Sequence, residues 1–390
     1  MKETRAHVLL LLVLTFALYA PTLRYPFVNF DDPGIVLGNP VLRENSVDAW
    51  VSAATERQGG TFLPVRALSY KIDFAFTEGN PLVFHAHNVL LAGVLHVLAY
   101  FVLLGFFRDP RAALAGAILY AVHPVHVESV AWVTGRKDLL SSIFALAALL
   151  CFRRARVREP ASLAPAALAL FVLAALSKAT VLVLPLWLVL EEFLAPRKEG
   201  EPARRRWLAG PAFFFLAAFL LFVIHYQEAR LAGVAKEIRS ADDQLRTVAG
   251  GLIEHLRLLF LPEPLCARAR SGFGSPLYLL ALPILAFAAV WLRPRQGRSE
   301  DRLRLAAAWF VIFILPTANL IRTSTPAAER YLILPSLALA LALAPALSRR
   351  RVCTGIVCGV LAILNLARQP VWSDGNPLWK DTLRKTTARL

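Results

Sequence analysis

The residues of this sequence that could perform chemistry stand in short motifs at the ends of apolar stretches. An acidic pair, Asp31-Asp32, follows the first apolar stretch and is itself followed by Pro33. Adjacent carboxylates can act as a general base toward a hydroxyl or hold a divalent cation beside a phosphate leaving group. Asp31 and Asp32 are therefore the catalytic candidates, and they are also the ligands if a metal is used, which the sequence does not require.

Asp32 is the preferred member of the pair. Pro33 biases the residue before it toward an extended backbone, which would hold the Asp32 side chain clear of the loop. A solvated loop start or a helix cap is the structural alternative for both carboxylates.

A second set of polar residues, mostly basic, has the chemistry to bind a phosphate or another part of a substrate. Arg and Lys make charge-assisted hydrogen bonds to phosphate oxygens. Structural roles stay open, because interfacial lysines can snorkel and histidines can cap helix ends instead of binding a metal. The set comprises Arg66, His85, His87, His123, His126, Glu128, Arg136, Lys137, Lys178, Glu329, Arg330 and Tyr331.

The composition places the chain in a membrane. Its 390 residues are 57% hydrophobic and only 18% charged, and the mean hydropathy is +0.54, which is too apolar for soluble domains of this length. The net charge of +16 does not require a nucleic-acid partner, because basic residues collect in the cytoplasmic loops of membrane proteins. The four cysteines form no CxxC pair, so neither a zinc site nor a disulfide framework is predicted at them.

The apolar stretches predict an all-α, polytopic bundle of about eleven membrane spans, each needing about 20 apolar residues. The basic clusters Arg153-Arg154, Arg204-Arg205-Arg206 and Arg349-Arg350-Arg351 then fall on the cytoplasmic side, together with the N-terminus, and the C-terminus is external. Residues 248–261 are predicted as an amphipathic helix on the outer interface. The predicted spans are 7–23, 84–107, 111–124, 138–152, 162–177, 179–195, 207–225, 273–292, 304–321, 330–347 and 351–367.

This topology places the acidic pair and the second polar set at the outer membrane boundary, where ionisable groups indicate a functional site. We expect short membrane-lying helices in the long external segment 24–82. His96 lies mid-span and is predicted as an interhelical histidine. Residues 1–367 are predicted as one integral-membrane domain, and 368–390 as an external tail.

Five motifs together resemble a known family, the transmembrane and tetratricopeptide-repeat-containing O-mannosyltransferases with their bacterial relatives. That family is similar to the wider GT-C superfamily of glycosyltransferases. The motifs span residues 28 to 336 in the family's order. They are Val28-Asn29-Phe30-Asp31-Asp32, Arg66-Ala67-Leu68-Ser69-Tyr70, Ala121 to Leu140 with His123-Pro124-Val125-His126-Val127-Glu128 and Thr134-Gly135-Arg136-Lys137-Asp138, Leu176-Ser177-Lys178, and Ala328-Glu329-Arg330-Tyr331.

The resemblance implies a glycosyltransferase that moves a sugar, mannose in the family, from a polyprenyl-phosphate donor to a hydroxyl of an exported protein at the outer face of a bacterial inner membrane. It gives Asp31 and Asp32 the catalytic role. A transferase acting on an envelope lipid or polysaccharide fits the same residues, whereas a transporter would need polar residues along a path at the midplane. The motif Trp372-Ser373-Asp374-Gly375 and the residues after it are typical of the first helix of a repeat array, which cannot bury its own face alone.

Overall fold

The computed structural model describes residues 2–57, 61–158, 163–194, 205–231, 241–262, 298–320, 325 and 327–387. In these ranges the regular structure is helical, which confirms the predicted all-α class. The α-helices are α1 Lys2–Tyr19, α2 Pro40–Arg43, α3 Val47–Thr55, α4 Pro64–Thr77, α5 Pro81–Phe107, α6 Pro110–Val122, α7 Val127–Ala131, α8 Arg136–Arg158, α9 Leu163–Ser177, α10 Leu184–Leu194, α11 Arg205–Leu231, α12 Ala241–Phe260, α13 Arg298–Ile314, α14 Leu337–Leu347, α15 Arg351–Arg368 and α16 Gly375–Thr387.

Several helices begin where a capping residue precedes a proline. The side chains of Asn39, Asn80 and Asp109 each accept a hydrogen bond from the backbone N–H two residues ahead. Proline follows each of them as the first helical residue, where its missing N–H costs nothing and its fixed φ suits the helix. The sequence alone therefore determines where α2, α5 and α6 start.

Three described segments are long and apolar enough to cross a membrane: Lys2–Arg24, Pro81–Phe107 and Arg351–Trp372. Pro110–Val122 and Pro124–Ala131 are bent by 55° and make a fourth if they count as one span. The shorter apolar helices include Ala164–Ser177, Ala179–Glu191, Pro211–His225 and Leu337–Leu347. Side chains such as Leu9, Phe16, Val352 and Ile363 are exposed on the outside of the bundle, as a lipid environment favours.

The predicted spans and the observed helices differ most at residues 330–347. Only Leu337–Leu347 is α-helical there, and Glu329–Leu332 forms a 3₁₀ turn. The carbonyls of Ile333 and Leu334 accept hydrogen bonds from Tyr120 Oη, at 2.6 Å, and Trp309 Nε1, at 2.7 Å. Irregular backbone is stable inside a bundle when neighbouring side chains satisfy its carbonyls. The predicted span 273–292 lies outside the described residues.

The helices pack closely where small residues meet. A Cβ at Gly116 of α6 would lie 2.8 Å from the Cβ of Ala344 in α14, so the two backbones approach as small residues allow in membrane bundles. His96 of α5 is hydrogen-bonded through Nδ1 to Thr15 Oγ1 of α1 at 2.8 Å, which confirms it as an interhelical histidine. At the far end of α8, Arg153 pairs with Glu191 at 2.6 Å.

The segment between α1 and α5 has a small hydrophobic core of its own. Val36, Leu42, Ala53, Tyr70 and Phe74 are buried together against Phe84 and Val133 of the bundle. The predicted short helices are present as α2, α3 and α4. This core fixes the loop that carries Asp31 and Asp32.

Candidate active site at one end of the bundle

The acidic pair divides into one enclosed and one accessible carboxylate. Asp32 is fully buried. Its Oδ2 accepts from Val28 N at 3.0 Å, and its Oδ1 accepts from Thr134 N at 3.1 Å and from the Thr134 hydroxyl. Asp31 is half-buried, and its charge acts on Arg66.

The predicted extended backbone at Asp32 is wrong. Asp32 has φ −59° and ψ −40°, which is the right-handed helical region, and Pro33–Leu37 forms a π-helical turn directly after it. The three hydrogen bonds to the carboxylate outweigh the proline bias, and those from Thr134 join the loop after α1 to the turn just before α8. These contacts remove the sequence-based reason to prefer Asp32.

Burial has a measurable consequence for Asp32. Desolvation raises the pKa of its carboxyl to about 6, although the hydrogen bonds from Thr134 and Val28 act in the opposite direction. Burial of this kind disfavours the charged form of an acid. Burial also lowers the pKa of the Arg66 guanidinium, whereas the nearby Tyr70 and Asp31 act to raise it.

Arg136 is enclosed by acceptors of the protein itself. Its Nε donates to Asn88 Oδ1 at 2.8 Å, its Nη2 to Phe84 O at 2.9 Å, and its Nη1 to Ser69 O at 3.2 Å. Nη1 also lies 2.5 Å from Asp73 Oδ2. We call Arg136 with these four partners the arginine clamp, and its fully buried guanidinium joins α4, α5 and α8.

A different group of cations gathers next to the clamp, and we call it the basic cluster: Arg66, Lys137, Lys178 and Arg330. The positive charges of the other three all act on Lys137. These residues lie far apart in the sequence, in α4, at the start of α8, before a 3₁₀ turn at Ala179–Val183, and in the turn at Glu329–Leu332. Tertiary structure therefore brings together four of the residues that the sequence marked as phosphate ligands.

Two aromatic rings separate the cations of the basic cluster. Lys137 Nζ lies 5.3 Å and Arg330 Cζ 5.6 Å from the centre of the Trp132 ring. Lys178 Nζ and Arg330 Cζ lie 5.2 and 5.1 Å from the Tyr331 ring. Cation–π contacts of this length stabilise positive charge at sites with restricted access to water.

Two carboxylates partly neutralise the basic cluster. Asp138 pairs with Lys178, and the fully buried Glu128 pairs with the Arg330 guanidinium and accepts from Arg330 N at 2.9 Å. The predicted site residue Glu329 is bonded elsewhere, to Arg368, with 2.5 Å between Oε1 and Nη2.

The predicted histidines are not brought into the basic cluster. His87 Nδ1 lies 2.7 Å from Asp73 Oδ1 beside the arginine clamp. His123 Nε2 donates to Leu259 O at 3.0 Å, and His126 Nε2 is hydrogen-bonded to Ser336 Oγ at 2.9 Å. His85 is buried against the Tyr25 ring, with 6.4 Å between ring centres.

His123, His126 and Glu128, whose side chains could also ligate a metal, are instead bonded to Leu259, Ser336 and Arg330. Among the residues that the structure describes, no group of three or more His, Cys, Asp and Glu side chains is arranged to hold a metal ion.

Residues that sequence reasoning did not select hold the irregular segment 123–135 in place. Asn88 Nδ2 donates to Val130 O and Trp132 O, both at 3.2 Å, and Tyr70 Oη donates to Val133 O at 3.2 Å. A Cβ at Gly135 would lie 2.9 Å from Glu128 O and Ser129 O, so only glycine fits. Thr134 stood inside a motif and Asn88 directly follows the candidate His87, whereas no sequence signal marked Asp73.

Comparisons with known proteins bear on the same segments. A family model described as "Dolichyl-phosphate-mannose-protein mannosyltransferase" matches residues 79–226, which include the arginine clamp's Asn88 and Arg136 together with Lys137 and Lys178. The expected resemblance to the O-mannosyltransferases is confirmed. The match does not extend to Asp31, Arg66 or Arg330.

Individual relatives carry the same description. The chain is 27% identical over 352 residues, which is 85% of this chain and 49% of the relative, to a protein O-mannosyl-transferase of Caenorhabditis elegans. It is 31% identical over 135 residues to the protein O-mannosyl-transferase TMTC3 of Mus musculus, covering 33% of this chain and 15% of that protein. For the protein O-mannosyl-transferase Tmtc1 of Drosophila melanogaster the identity is 33% over 149 residues, with 36% and 17% covered. The chain thus spans half or less of each of these relatives.

Proposed function

We propose that the chain is an integral-membrane glycosyltransferase that transfers mannose from a polyprenyl-phosphate donor to a hydroxyl of an exported protein. The observation that carries the proposal is the convergence of Lys137, Lys178 and Arg330 on the rings of Trp132 and Tyr331. Trp132 also contacts Phe30, the residue that directly precedes the half-buried Asp31. A sugar transfer of this kind needs a base for the acceptor hydroxyl and positive charge for the departing phosphate. The sugar and the protein acceptor rest on what the relatives are named for.

In the proposed reaction Asp31 takes the proton of the acceptor hydroxyl. The hydroxyl oxygen then forms the bond to the anomeric carbon while the bond from that carbon to the phosphate oxygen breaks. The phosphate leaves with the bonding electrons, and Arg66, Lys137, Lys178 and Arg330 stabilise its charge through charge-assisted hydrogen bonds. A divalent cation at Asp31 is compatible with these steps and is not required by them.

A lipid-linked donor is supported by a small polar cleft and an apolar cavity on neighbouring residues. The cleft, of about 10 Å³, is lined by Asp138, Ser142, Lys178 and Arg330 and reaches Phe313 and Thr317. The apolar cavity, of about 520 Å³, lies between α12, α13 and α14 and reaches Ile314 and Ala318. A polyprenyl phosphate has this pairing of a charged head with a hydrocarbon chain.

We further propose that the chain has eleven spans, an N-terminus in the cytoplasm and its site at the outer face of a bacterial inner membrane. Arg153 lies about 26 Å along α8 from Arg136, near the width of a hydrocarbon core, which supports opposite membrane boundaries for the two ends of α8. The orientation itself is argued from the basic clusters, of which Arg153-Arg154 is one. The amphipathic α12 is proposed to lie on the outer interface.

The decisive experiment measures mannose transfer from a polyprenyl-phosphate donor by the chain in sealed vesicles of either orientation. The Asp31→Asn variant should lower turnover by about 10²- to 10⁴-fold with unchanged donor binding, because it removes the general base. Asp48→Asn, an exposed carboxylate in the same external segment, is the matched control and should be fully active. Normal turnover in Asp31→Asn would overturn the assignment, and transfer only to acceptor on the cytoplasmic side would overturn the orientation.

A further inference from the structure

The residues after α15 do not form a separate tail but pack against the candidate active site. We call residues 368–387, which comprise a 3₁₀ turn at Gln369–Trp372 and helix α16, the C-terminal strap. Trp372 and Leu378 of the strap are buried. Both side chains belong to the same hydrophobic core as the helices of the bundle, on both sides of the domain boundary expected at residue 367.

One set of strap contacts supports the ring that separates the cations. Trp372 is fully buried and stacks on Trp132, with 5.7 Å between ring centres and 24° between planes. Trp132 in turn carries Lys137 and Arg330 over its ring. Trp372 therefore fixes the ring that holds two members of the basic cluster.

A second set of contacts reaches the residues that directly precede the acidic pair. Trp379 Nε1 donates to Asn29 O at 3.1 Å, and its ring centre lies 5.6 Å from that of Phe30. A Cβ at Gly375 would lie 2.9 Å from Asn29 Cβ, so the start of α16 approaches this loop as closely as glycine allows. Phe30 also contacts Trp132, at 5.1 Å between ring centres.

A third set is ionic. The buried Arg368 pairs with Glu329 at 2.5 Å and with Asp381 of α16 at 2.7 Å. Glu329 directly precedes Arg330. Arg368 therefore joins α16 to the turn that presents Arg330 to the basic cluster.

We propose that the C-terminal strap is a positioning element of the active site, in which Trp372, Trp379 and Arg368 hold Asp31 and Arg330 at a fixed separation. The rate of a catalysed reaction falls by as much as about 10²-fold when a catalytic group moves by about 1 Å from the productive geometry. The consequence for turnover rests on the proposed function. The consequence for the backbone around Asp31 is independent of it.

The test uses the full chain in detergent or vesicles and two readouts. Trp379→Ala removes the hydrogen bond and ring contact to the acidic loop, and Asp381→Asn removes the ionic contact of α16 with little change of shape. Both variants should speed amide hydrogen exchange in residues 26–35 and lower kcat by about 10- to 100-fold, with the donor KM of Trp379→Ala unchanged. Trp379→Phe keeps an aromatic ring and should recover most of the rate, and Lys380→Ala, on the exposed side of α16, should match the unaltered chain in both readouts.

The two readouts separate the possible failures. Unchanged hydrogen exchange in residues 26–35 in both variants would overturn the strap's role, whatever the activity. Faster exchange with normal kcat would also overturn it, because the loop would then be held without consequence for the reaction. An unaltered chain that transfers no mannose would contradict the proposed function, while the exchange measurement still decides whether the strap holds the loop.

Discussion

Arg136 and Lys137 are neighbours in the sequence but belong to two regions of opposite character. The arginine clamp surrounds Arg136 with acceptors from two helices, α4 and α5, including a carboxylate at 2.5 Å. The basic cluster around Lys137 instead contains mutually repelling cations spaced by Trp132 and Tyr331. A guanidinium whose nitrogens all donate hydrogen bonds to the protein stabilises the fold. A group of neighbouring cations instead favours the binding of a negatively charged ligand.

The acidic pair divides in the same way. Both carboxylate oxygens of Asp32 accept hydrogen bonds, from Val28 and Thr134. The Asp31 carboxylate is half-buried, and its charge acts on Arg66. In each pair of neighbours, one residue joins segments of the protein and the other faces the candidate site. Residue type is thus a poor guide to role here, and the acceptors around each side chain decide it.

The largest expected effect is the loss of the arginine clamp. Arg136→Ala leaves Asp73 buried next to His87 without its guanidinium, and removing one partner of a buried ion pair costs about 3–5 kcal/mol of unfolding free energy. The matched variant Lys137→Gln should cost less than about 1 kcal/mol, since it removes chiefly a cation–π contact. Thermal and denaturant unfolding in detergent measure both, and equal losses would abolish the distinction between the two regions.

A smaller effect concerns the enclosed carboxylate. Asp32 has a higher pKa in the folded chain, about 6, than its ordinary 3.8, so folding takes up a proton between these values. The favourable contribution is complete below pH 3.8 and is lost as the pH rises through about 6. The stability of the unaltered chain relative to Asp32→Asn should therefore fall by about 2 kcal/mol between pH 4 and pH 7. A pH-independent difference would show that Asp32 is as solvated as Asp48, whose Asn variant is the control.

The smallest expected effect concerns how Lys137 binds the phosphate of the donor. Lys137→Gln should lower kcat/KM for the donor by roughly 10- to 100-fold, because one charge-assisted contact to a phosphate contributes about 1.5–3 kcal/mol. Titration with a polyprenyl phosphate measures the same loss without turnover. Donor affinity that is unchanged in Lys137→Gln, and equally unchanged in Lys178→Gln, would assign these lysines to interfacial anchoring.

Much of the helical framework could be read from local signals. A capping residue followed by proline starts helices at Asn39-Pro40, Asn80-Pro81 and Asp109-Pro110. The last two helices begin within three residues of the predicted span starts at 84 and 111. Prediction was poorest at residues 330–347, because an apolar run does not reveal that Tyr120 and Trp309 will satisfy the carbonyls of a non-helical turn. The eleven-span count and its orientation stay predictions.

By itself, the sequence determined the all-α class, the membrane environment, the family resemblance and the motifs from which the site is built, because hydrophobic periodicity and capping act over a few residues. Only the tertiary structure decided which motif residues meet: it enclosed Arg136 and Asp32, gathered Lys137, Lys178 and Arg330, and brought the strap residues Trp372 and Trp379 onto Trp132 and Phe30. The physical reason is that burial, hydrogen-bond saturation and charge proximity depend on partners up to several hundred residues away in the chain, as in the hydrogen bond between Trp379 and Asn29.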